Sequence, residues 1–281
     1  METPVKTRRA SASIVTVVVA ALAAMSISLS AAQWIRYPTA GIPKTPDGKP
    51  NLSAPSPRTA DGKPDLSGMW EPEKTRPCPP DGCEDMPVGE QFLNIGWGLE
   101  GGLPYQSWAS DLVKARMEQN GKDDPGSHCL PTGIVKMHTT PLFRKIIQIP
   151  GLVVILYERN TNYRQIFTDL RPLPADVQLP SYTGFSSAKW EGDTLVVQTS
   201  GFKDGLWLDR HGSPMTDAAK VTERFRRVNY GKLEIEVTVD DAKAYTRPWT
   251  IKLNQFLVLD MELLDYICLE NERDISRLVG K

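Results

Sequence analysis

The chain has 281 residues and a formal net charge of −1 at pH 7. A weakly acidic surface gives no electrostatic reason to bind nucleic acid, so the sequence predicts no nucleic-acid partner. Beyond the N-terminal segment no stretch is apolar and long enough to span a bilayer, so no stable membrane span is expected either.

The N-terminus has the pattern of a secretory signal peptide. Lys6, Arg8 and Arg9 form a basic region, residues 14–29 are apolar or small, and residues 30–32 read Ser-Ala-Ala, a typical cleavage signal. The alternative, a permanent membrane anchor, is disfavoured because the apolar core is short and contains serines. We therefore predict a protein that is secreted or exported to the periplasm, with 281 − 32 = 249 residues left after cleavage.

The four cysteines all lie beyond this segment, and an even number in an oxidising compartment indicates disulfides. Cys78 and Cys83 enclose a Pro-Asp-Gly turn and are predicted to pair, which leaves Cys129 with Cys268; two other connectivities are possible. The alternative is a zinc site that adds His128 to Cys78, Cys83 and Cys129, but its spacings are poor. We expect no metal and no cofactor.

Residues 33–104 are rich in Pro and Gly and contain a duplicated motif. TPDGKPNLS occupies 45–53 and TADGKPDLS occupies 59–67, and each copy places an Asp-Gly turn before a Lys-Pro pair that disfavours helix. The pattern predicts an extended arm, which Trp70 attaches to the main body. A protein that uses this arm to bind cell-envelope partners is a further functional alternative.

One helix is predicted over residues 104–121, where Trp108, Leu112 and Ala115 share one face and Gly121 ends the helix. From Phe143 onward the sequence changes to strands joined by short turns. The predicted strands are FRKIIQI, GLVVILYER, NYRQIFTD, FSSAKW, TLVVQT, KVTERFRRV, KLEIEVTV, WTIKLNQFLV and MELLDYICLE.

About nine strands in succession predict a mainly β fold, an antiparallel meander that closes into a lipocalin-like (calycin-type) barrel. A β-sandwich is the alternative. We divide the chain into a signal peptide (1–32), a Pro- and Gly-rich arm (33–104) and a helix plus β-barrel domain (105–281).

Three glutamates share strand faces with apolar residues. Glu223 lies mid-strand on the side of Val221 and Phe225, and a buried carboxylate there needs a partner, for which Arg164 is a candidate. Glu158 and Glu270 alternate with apolar residues in the same way. Such carboxylates indicate either an acid/base set in a cavity or strand-end positions that reach water or a salt bridge.

The loop WLDRHGSPMTD, residues 207–217, contains a second set of candidates. Trp207 and Leu208 should be buried, so the loop is expected to be ordered, and Asp209 is placed to orient His211 as a base. The alternatives are a metal site that adds Asp217, which no recognised ligand spacing supports, and a structural loop whose aspartates cap turns.

The chain resembles a group of exported bacterial proteins. The resemblance is carried by DGKPDLSGMW, DDPGSHCLPTG, KWEGDTLVVQTSGF, WLDRHGSP, TERFRR and DYICLENERD. It implies no activity, because none is established for the group, but it supports pairing Cys129 with Cys268, which both lie in shared motifs. Related sequences read Pro-His-Ser where this chain has Pro214-Met215-Thr216, so a role for a histidine in this loop is put in doubt.

Two functional hypotheses follow. The first is an exported protein that binds a small apolar or amphipathic molecule in a barrel cavity. Its candidate ligand contacts are Trp207, Arg164, Tyr157, Glu158 and Glu270.

The second is an exported hydrolase, lyase or isomerase in which Glu223 acts with Asp209 or His211. This hypothesis requires those side chains to converge at a cavity. A pairing of Glu223 with an arginine, away from any cavity, would count against it.

Overall fold

The computed structural model describes residues 38–74 and 88–270. The predicted signal peptide and the predicted Cys78–Cys83 pair lie outside these residues. In the described part of the chain, no helix has both the length and the apolar character needed to cross a membrane.

Nine strands close into a barrel, which confirms the predicted fold class. Around the barrel the order is β1-β11-β10-β9-β6-β5-β4-β3-β2, and a separate two-stranded ribbon is formed by β7 and β8. The strands are β1 (Gly68–Pro72), β2 (Arg144–Ile149), β3 (Leu152–Tyr157), β4 (Tyr163–Phe167), β5 (Phe185–Glu191), β6 (Thr194–Ser200), β7 (Leu206–Trp207), β8 (Pro214–Met215), β9 (Lys220–Asn229), β10 (Lys232–Asp240) and β11 (Trp249–Val258).

The hairpins predicted from the sequence form most of this barrel. β2–β3, β5–β6, β9–β10 and β10–β11 are antiparallel neighbours, because each pair is joined by a connection short enough to return the chain beside itself. β4 and β5 are parallel, so the barrel is mixed rather than a pure meander. The long connection over residues 168–184 permits this parallel pairing.

The ninth barrel strand is not the one predicted. β1, from the segment predicted to be an arm, lies between β2 and β11 and pairs with both. The predicted strand MELLDYICLE is wrong, because β1 already occupies the free edge of β11 and residues 262–270 form no strand. The barrel therefore begins before residue 105.

The C-terminal segment is instead attached by a covalent bond. Cys129 and Cys268 form a disulfide across 139 residues of sequence, as predicted. Backbone contacts add to this attachment, since the Asn160 amide donates to the Tyr266 carbonyl at 2.8 Å.

Among the described residues, three short helices lie outside the sheet: α1 (Glu90–Leu93), α2 (Ser107–Glu118) and α3 (Ile134–Thr139), with a 3-10 turn at Pro125–His128. α2 corresponds to the predicted helix, but it buries Ala109 and Val113 and leaves Trp108 47% exposed. All six residues of α3 are buried, and the His138 side chain reaches into the barrel interior from the end where β2, β9 and β11 begin.

The duplicated motif forms the same turn twice. In each copy the threonine amide donates to the lysine carbonyl and the threonine hydroxyl donates to the aspartate, Thr45 to Asp47 and Thr59 to Asp61. This similarity follows from the shared Thr-x-Asp-Gly-Lys-Pro pattern, whose Asp-Gly pair favours a tight turn.

The chain that carries the two turns crosses the second end of the barrel, at the β2–β3, β5–β6 and β9–β10 turns. The Gly231 amide of the β9–β10 turn donates to the Leu52 carbonyl at 2.8 Å. Arg58 forms a bidentate ion pair with Asp193 of the β5–β6 turn, at 2.8 and 2.9 Å. One end of the barrel is thus covered by α3 and the other by the duplicated turns.

Candidate functional site

The barrel interior contains a fully buried ionic network centred on Glu223. Arg164 donates to both carboxylate oxygens, with a distance of 2.9 Å from Nη1 to Oε1. The same guanidinium donates through Nε to Ser186 at 3.1 Å and through Nη2 to Thr199 at 2.9 Å. Arg164 is therefore the partner of Glu223, as the sequence suggested, and its hydrogen bonds are directed to protein atoms.

His138, contributed by α3, joins the network from above β9. Its Nε2 lies 2.6 Å from Oε1 of Glu223, and its Nδ1 lies 3.3 Å from Nη1 of Arg144. Arg144 and Gln255 also donate to the His138 carbonyl, at 3.1 and 3.0 Å. α3 is thus bound to the strands β2, β9 and β11 through one residue.

The charges in the network are set by burial and by neighbouring arginines. Burial raises the pKa of Glu223, but the charge of Arg164 and the hydrogen bonds from His138 and Arg164 outweigh it and lower that pKa to about 2. Burial lowers the pKa of His138, which Glu223 opposes and Arg144 reinforces. Burial also lowers the pKa of Arg144 to about 10, so it stays protonated at neutral pH.

Asp209 and His211 belong to a different part of the molecule. Asp209 is completely buried and accepts hydrogen bonds from the amides of Ile95, Gly212 and Ser213, each at 2.9 Å, and from the Ser213 hydroxyl at 2.5 Å. Gly212 has a φ of +87°, a conformation that favours glycine and that lets its amide face the carboxylate. Asp209 therefore holds the loop in shape, and its hydrogen-bond network is separate from that of Glu223.

The structure does not bring together the three residues proposed as an acid/base set. The described hydrogen bonds of Glu223 go to Arg164 and His138, and the His211 amide donates to the Leu93 carbonyl at 2.9 Å. The cavity beside His138 has a volume of about 10 Å³, which is too small for an organic substrate. This geometry gives Glu223 the arginine pairing that counts against the enzyme hypothesis.

The predicted ligand contacts are likewise dispersed. Trp207 is buried beneath Arg116, whose guanidinium carbon lies 4.4 Å from the ring centroid. Glu158 accepts from the amides of Phe143 and Leu264 at 3.3 and 3.2 Å, which secures the C-terminal segment.

Of the remaining three predicted contacts, Tyr157 and Arg164 are buried beside each other in the barrel interior. Glu270 is exposed, because its segment is not a strand.

A cavity lies at the barrel end that the duplicated turns cover. Its volume is about 390 Å³. The second turn forms one wall, the β2–β3 turn another, and the ends of β4 and β5 complete it. The lining residues are Thr59, Ala60, Asp61, Gln148, Ile149, Pro150, Gly151, Val153, Thr168 and Trp190.

Sequence reasoning missed this cavity because its walls are distant in the chain. Asp61 and Trp190 are separated by 129 residues and meet only because β1 enters the barrel and brings the preceding turn to its end. The duplication was a usable signal, since its second copy leads directly into β1. His138 lies in the barrel interior, where its ring is hydrogen-bonded to Glu223.

No protein-family model matches the chain, and a search of the curated proteins finds no match. The fold and the site place the protein in the class of closed β-barrels with a filled interior and a cavity at one end. The resemblance to exported bacterial proteins stays a prediction.

Proposed function

We propose that the protein is exported and binds a small amphipathic molecule in the barrel-end cavity. The observation that carries this proposal is the cavity itself, whose volume of about 390 Å³ lies within the range of about 300–1,000 Å³ that is typical of ligand pockets. Its walls belong to barrel strands and to turns that are hydrogen-bonded to them, so the site is formed before a ligand arrives.

The lining has the mixed character that an amphipathic ligand needs. Ile149, Pro150, Val153 and Trp190 supply apolar surface, and Asp61 supplies a carboxylate. A few polar groups in a mainly apolar pocket orient a ligand, while the apolar surface provides most of the binding free energy. Side chains of the ionic network and the hydrophobic core occupy the barrel interior.

Export is supported by two independent features. The N-terminal sequence has the basic, apolar and small-residue regions of a signal peptide. The Cys129–Cys268 disulfide is of the kind that persists in oxidising compartments.

Native mass spectrometry of the protein expressed with its own N-terminus tests both parts of the proposal. We expect the exported chain to begin at Gln33 and to carry a small molecule that dissociates on activation. Ala60→Trp places an indole in the cavity and should abolish that adduct. Ala242→Trp, on an exposed residue at the opposite barrel end, is the control and should retain it.

An adduct that survives in the Ala60→Trp variant would place the ligand elsewhere and contradict the proposal. A wild-type protein without an adduct, which also fails to bind the amphipathic probes described below, would contradict it as well. A chain that keeps residues 1–32 in the cell would overturn export alone.

A further inference from the structure

We infer that the barrel-end cavity selects organic cations, with the Asp61 carboxylate and the Trp190 indole receiving an ammonium group on an apolar body. This inference rests on the proposed function, since it names the ligand class of the same cavity. It follows from the charges of the lining and from a comparison of the two duplicated turns.

The lining contains one charged side chain, and that charge is negative. Among the ten lining residues only Asp61 is ionisable at neutral pH. The amide of Gln148, another lining residue, is engaged at both ends, since Oε1 accepts from the Leu66 amide at 2.9 Å and Nε2 donates to the Pro64 carbonyl at 3.2 Å. Asp61 is therefore the charged group that the lining offers to a ligand.

In the first copy of the turn, the aspartate of the motif is paired with a lysine. Asp47 forms an ion pair with Lys49, with a distance of 2.9 Å between Oδ2 and Nζ. In the second copy Lys63 is equivalent to Lys49, yet across the described residues no cation forms an ion pair with Asp61. The same motif thus neutralises its carboxylate where there is no cavity and leaves it unpaired where there is one.

The carboxylate is also held in place and kept charged. The hydroxyl of Thr59 donates a hydrogen bond to Asp61, which lowers the pKa of that carboxyl, and the nearby charge of Lys63 lowers it further. The turn itself is attached to the barrel through the Arg58–Asp193 ion pair. Asp61 is exposed, so a ligand cation meets a charged carboxylate that the Thr59 hydrogen bond orients at the edge of the cavity.

Trp190 supplies the second feature of a cation site. The face of an indole attracts ammonium groups, and carboxylate and aromatic groups together are a typical combination for such ligands. Ile149, Pro150 and Val153 provide the apolar surface for the rest of the molecule. The class that fits is a primary or quaternary amine that carries a compact apolar group.

Three probes of similar size and different charge test this selectivity: 2-phenylethylammonium, 2-phenylethanol and 3-phenylpropanoate. Dissociation constants are measured by calorimetric titration at pH 7 in low salt. We expect the cation to bind about tenfold more tightly than the alcohol, from one partly exposed ion pair and one cation–π contact, and the anion to bind most weakly.

Asp61→Asn removes the charge and keeps an oxygen that can accept from Thr59, so the turn should persist. This variant should bind the cation and the alcohol with similar affinity. Asp47→Asn is the matched control, because it makes the same substitution at the equivalent position of the first turn, which does not line the cavity. It should leave the tenfold preference for the cation intact.

The outcomes separate the inference from the function on which it rests. Equal binding of all three probes by the wild type would overturn the cation selectivity and leave the small-molecule site standing. Equal loss of preference in both variants would also overturn the inference, because a general charge effect would then explain it. Failure of every probe to bind would contradict the binding function of this cavity together with its selectivity.

Discussion

The guanidinium of Arg144 determines which nitrogen of His138 carries the proton. A guanidinium can only donate hydrogen bonds, so Nδ1 of His138, at 3.3 Å from Arg144, must accept. The ring proton is then on Nε2, from which it is donated to Glu223. A neutral histidine between a charged carboxylate and a charged arginine satisfies every ring nitrogen, and protonation of Nδ1 would break this arrangement.

Acid should therefore destabilise the protein in two stages. The pKa of His138 is lowered in the folded state, so protons bind preferentially to the unfolded chain once the pH falls below the ordinary value of 6.5. The pKa of Glu223 is lowered to about 2, so its contribution is present above 4.5 and is lost as the pH falls from 4.5 toward 2. The free energy of unfolding, measured by urea titration between pH 8 and pH 4, should be constant above pH 7 and should decrease below pH 6.5.

The variant His138→Gln isolates the first stage. Glutamine can still donate to Glu223 and accept from Arg144, but it does not titrate. The slope of the free energy of unfolding against pH, between pH 6.5 and pH 5, should therefore decrease by up to about 1.4 kcal/mol per pH unit. His211→Gln, outside the ionic network, is the control and should leave that part of the slope in place. An unchanged slope in His138→Gln would show that other groups cause the decline.

At the scale of single elements, the alternation of residues was the most informative part of the sequence. Leu233, Ile235 and Val237 on one side of β10 are buried, as their period of two predicts. The same rule placed Glu223 among interior residues, where a carboxylate needs a partner, and Arg164 was a candidate for that partner. A strand with one apolar face has a single register that buries that face, so its orientation can be read locally.

The elements that the sequence did not reveal depend on contacts between distant residues. β1 contains Gly68 and Pro72 and looks like a loop, but it becomes a strand because it fills the gap between β2 and β11. The segment that contains Tyr266 alternates like a strand, but no edge is left for it. Local pattern decides which face of a strand is buried, whereas closure of the barrel decides which segments become strands.

The attachment of the duplicated turns to the barrel depends on Arg227. This buried side chain donates to the carbonyls of Asp65 and Ser67, at 2.6 and 3.1 Å, and its guanidinium carbon lies 4.9 Å from the centroid of the Trp70 ring. Arg227→Lys keeps the charge but loses the planar fork, so we expect a loss of about 1–3 kcal/mol in the free energy of unfolding.

Hydrogen exchange should localise this effect. Amides of residues 57–67 should exchange faster in Arg227→Lys, while those of β10 stay protected. Arg226→Lys changes the neighbouring residue on the outer face, where the arginine forms an exposed ion pair with Glu234. This substitution should lower the free energy of unfolding by less than about 1 kcal/mol. Equal effects of the two substitutions would argue against the anchoring role of Arg227.

At the scale of the whole molecule, the closed barrel separates stability from binding. The hydrophobic core and the ionic network lie in the interior, α3 covers one end, and the proposed ligand cavity lies where the duplicated turns approach the other end. Substitutions at Asp61 or Ala60 should therefore alter binding with little effect on folding, whereas those at Arg164 or Glu223 should do the reverse. Breaking such a buried ion pair leaves one charge uncompensated, which is strongly destabilising.

The disulfide provides the corresponding test for the global fold. Cys129 and Cys268 are 139 positions apart in the sequence, and a loop of that length constrains the unfolded chain by about 4–5 kcal/mol in the entropy model. Replacing both by alanine should lower the free energy of unfolding toward that extent. The barrel should still form in native conditions, because residues 262–270 contribute no strand to it. Urea titration followed by tryptophan fluorescence measures the change.

Replacing Cys78 and Cys83 by alanine is the control, since a bond between them would close a far shorter loop. Its removal should lower the free energy of unfolding by about half as much. Equal losses in the two double variants would show that loop length does not govern the stabilisation, and an unfolded Cys129/Cys268 variant would show that the C-terminal segment is required for the barrel itself.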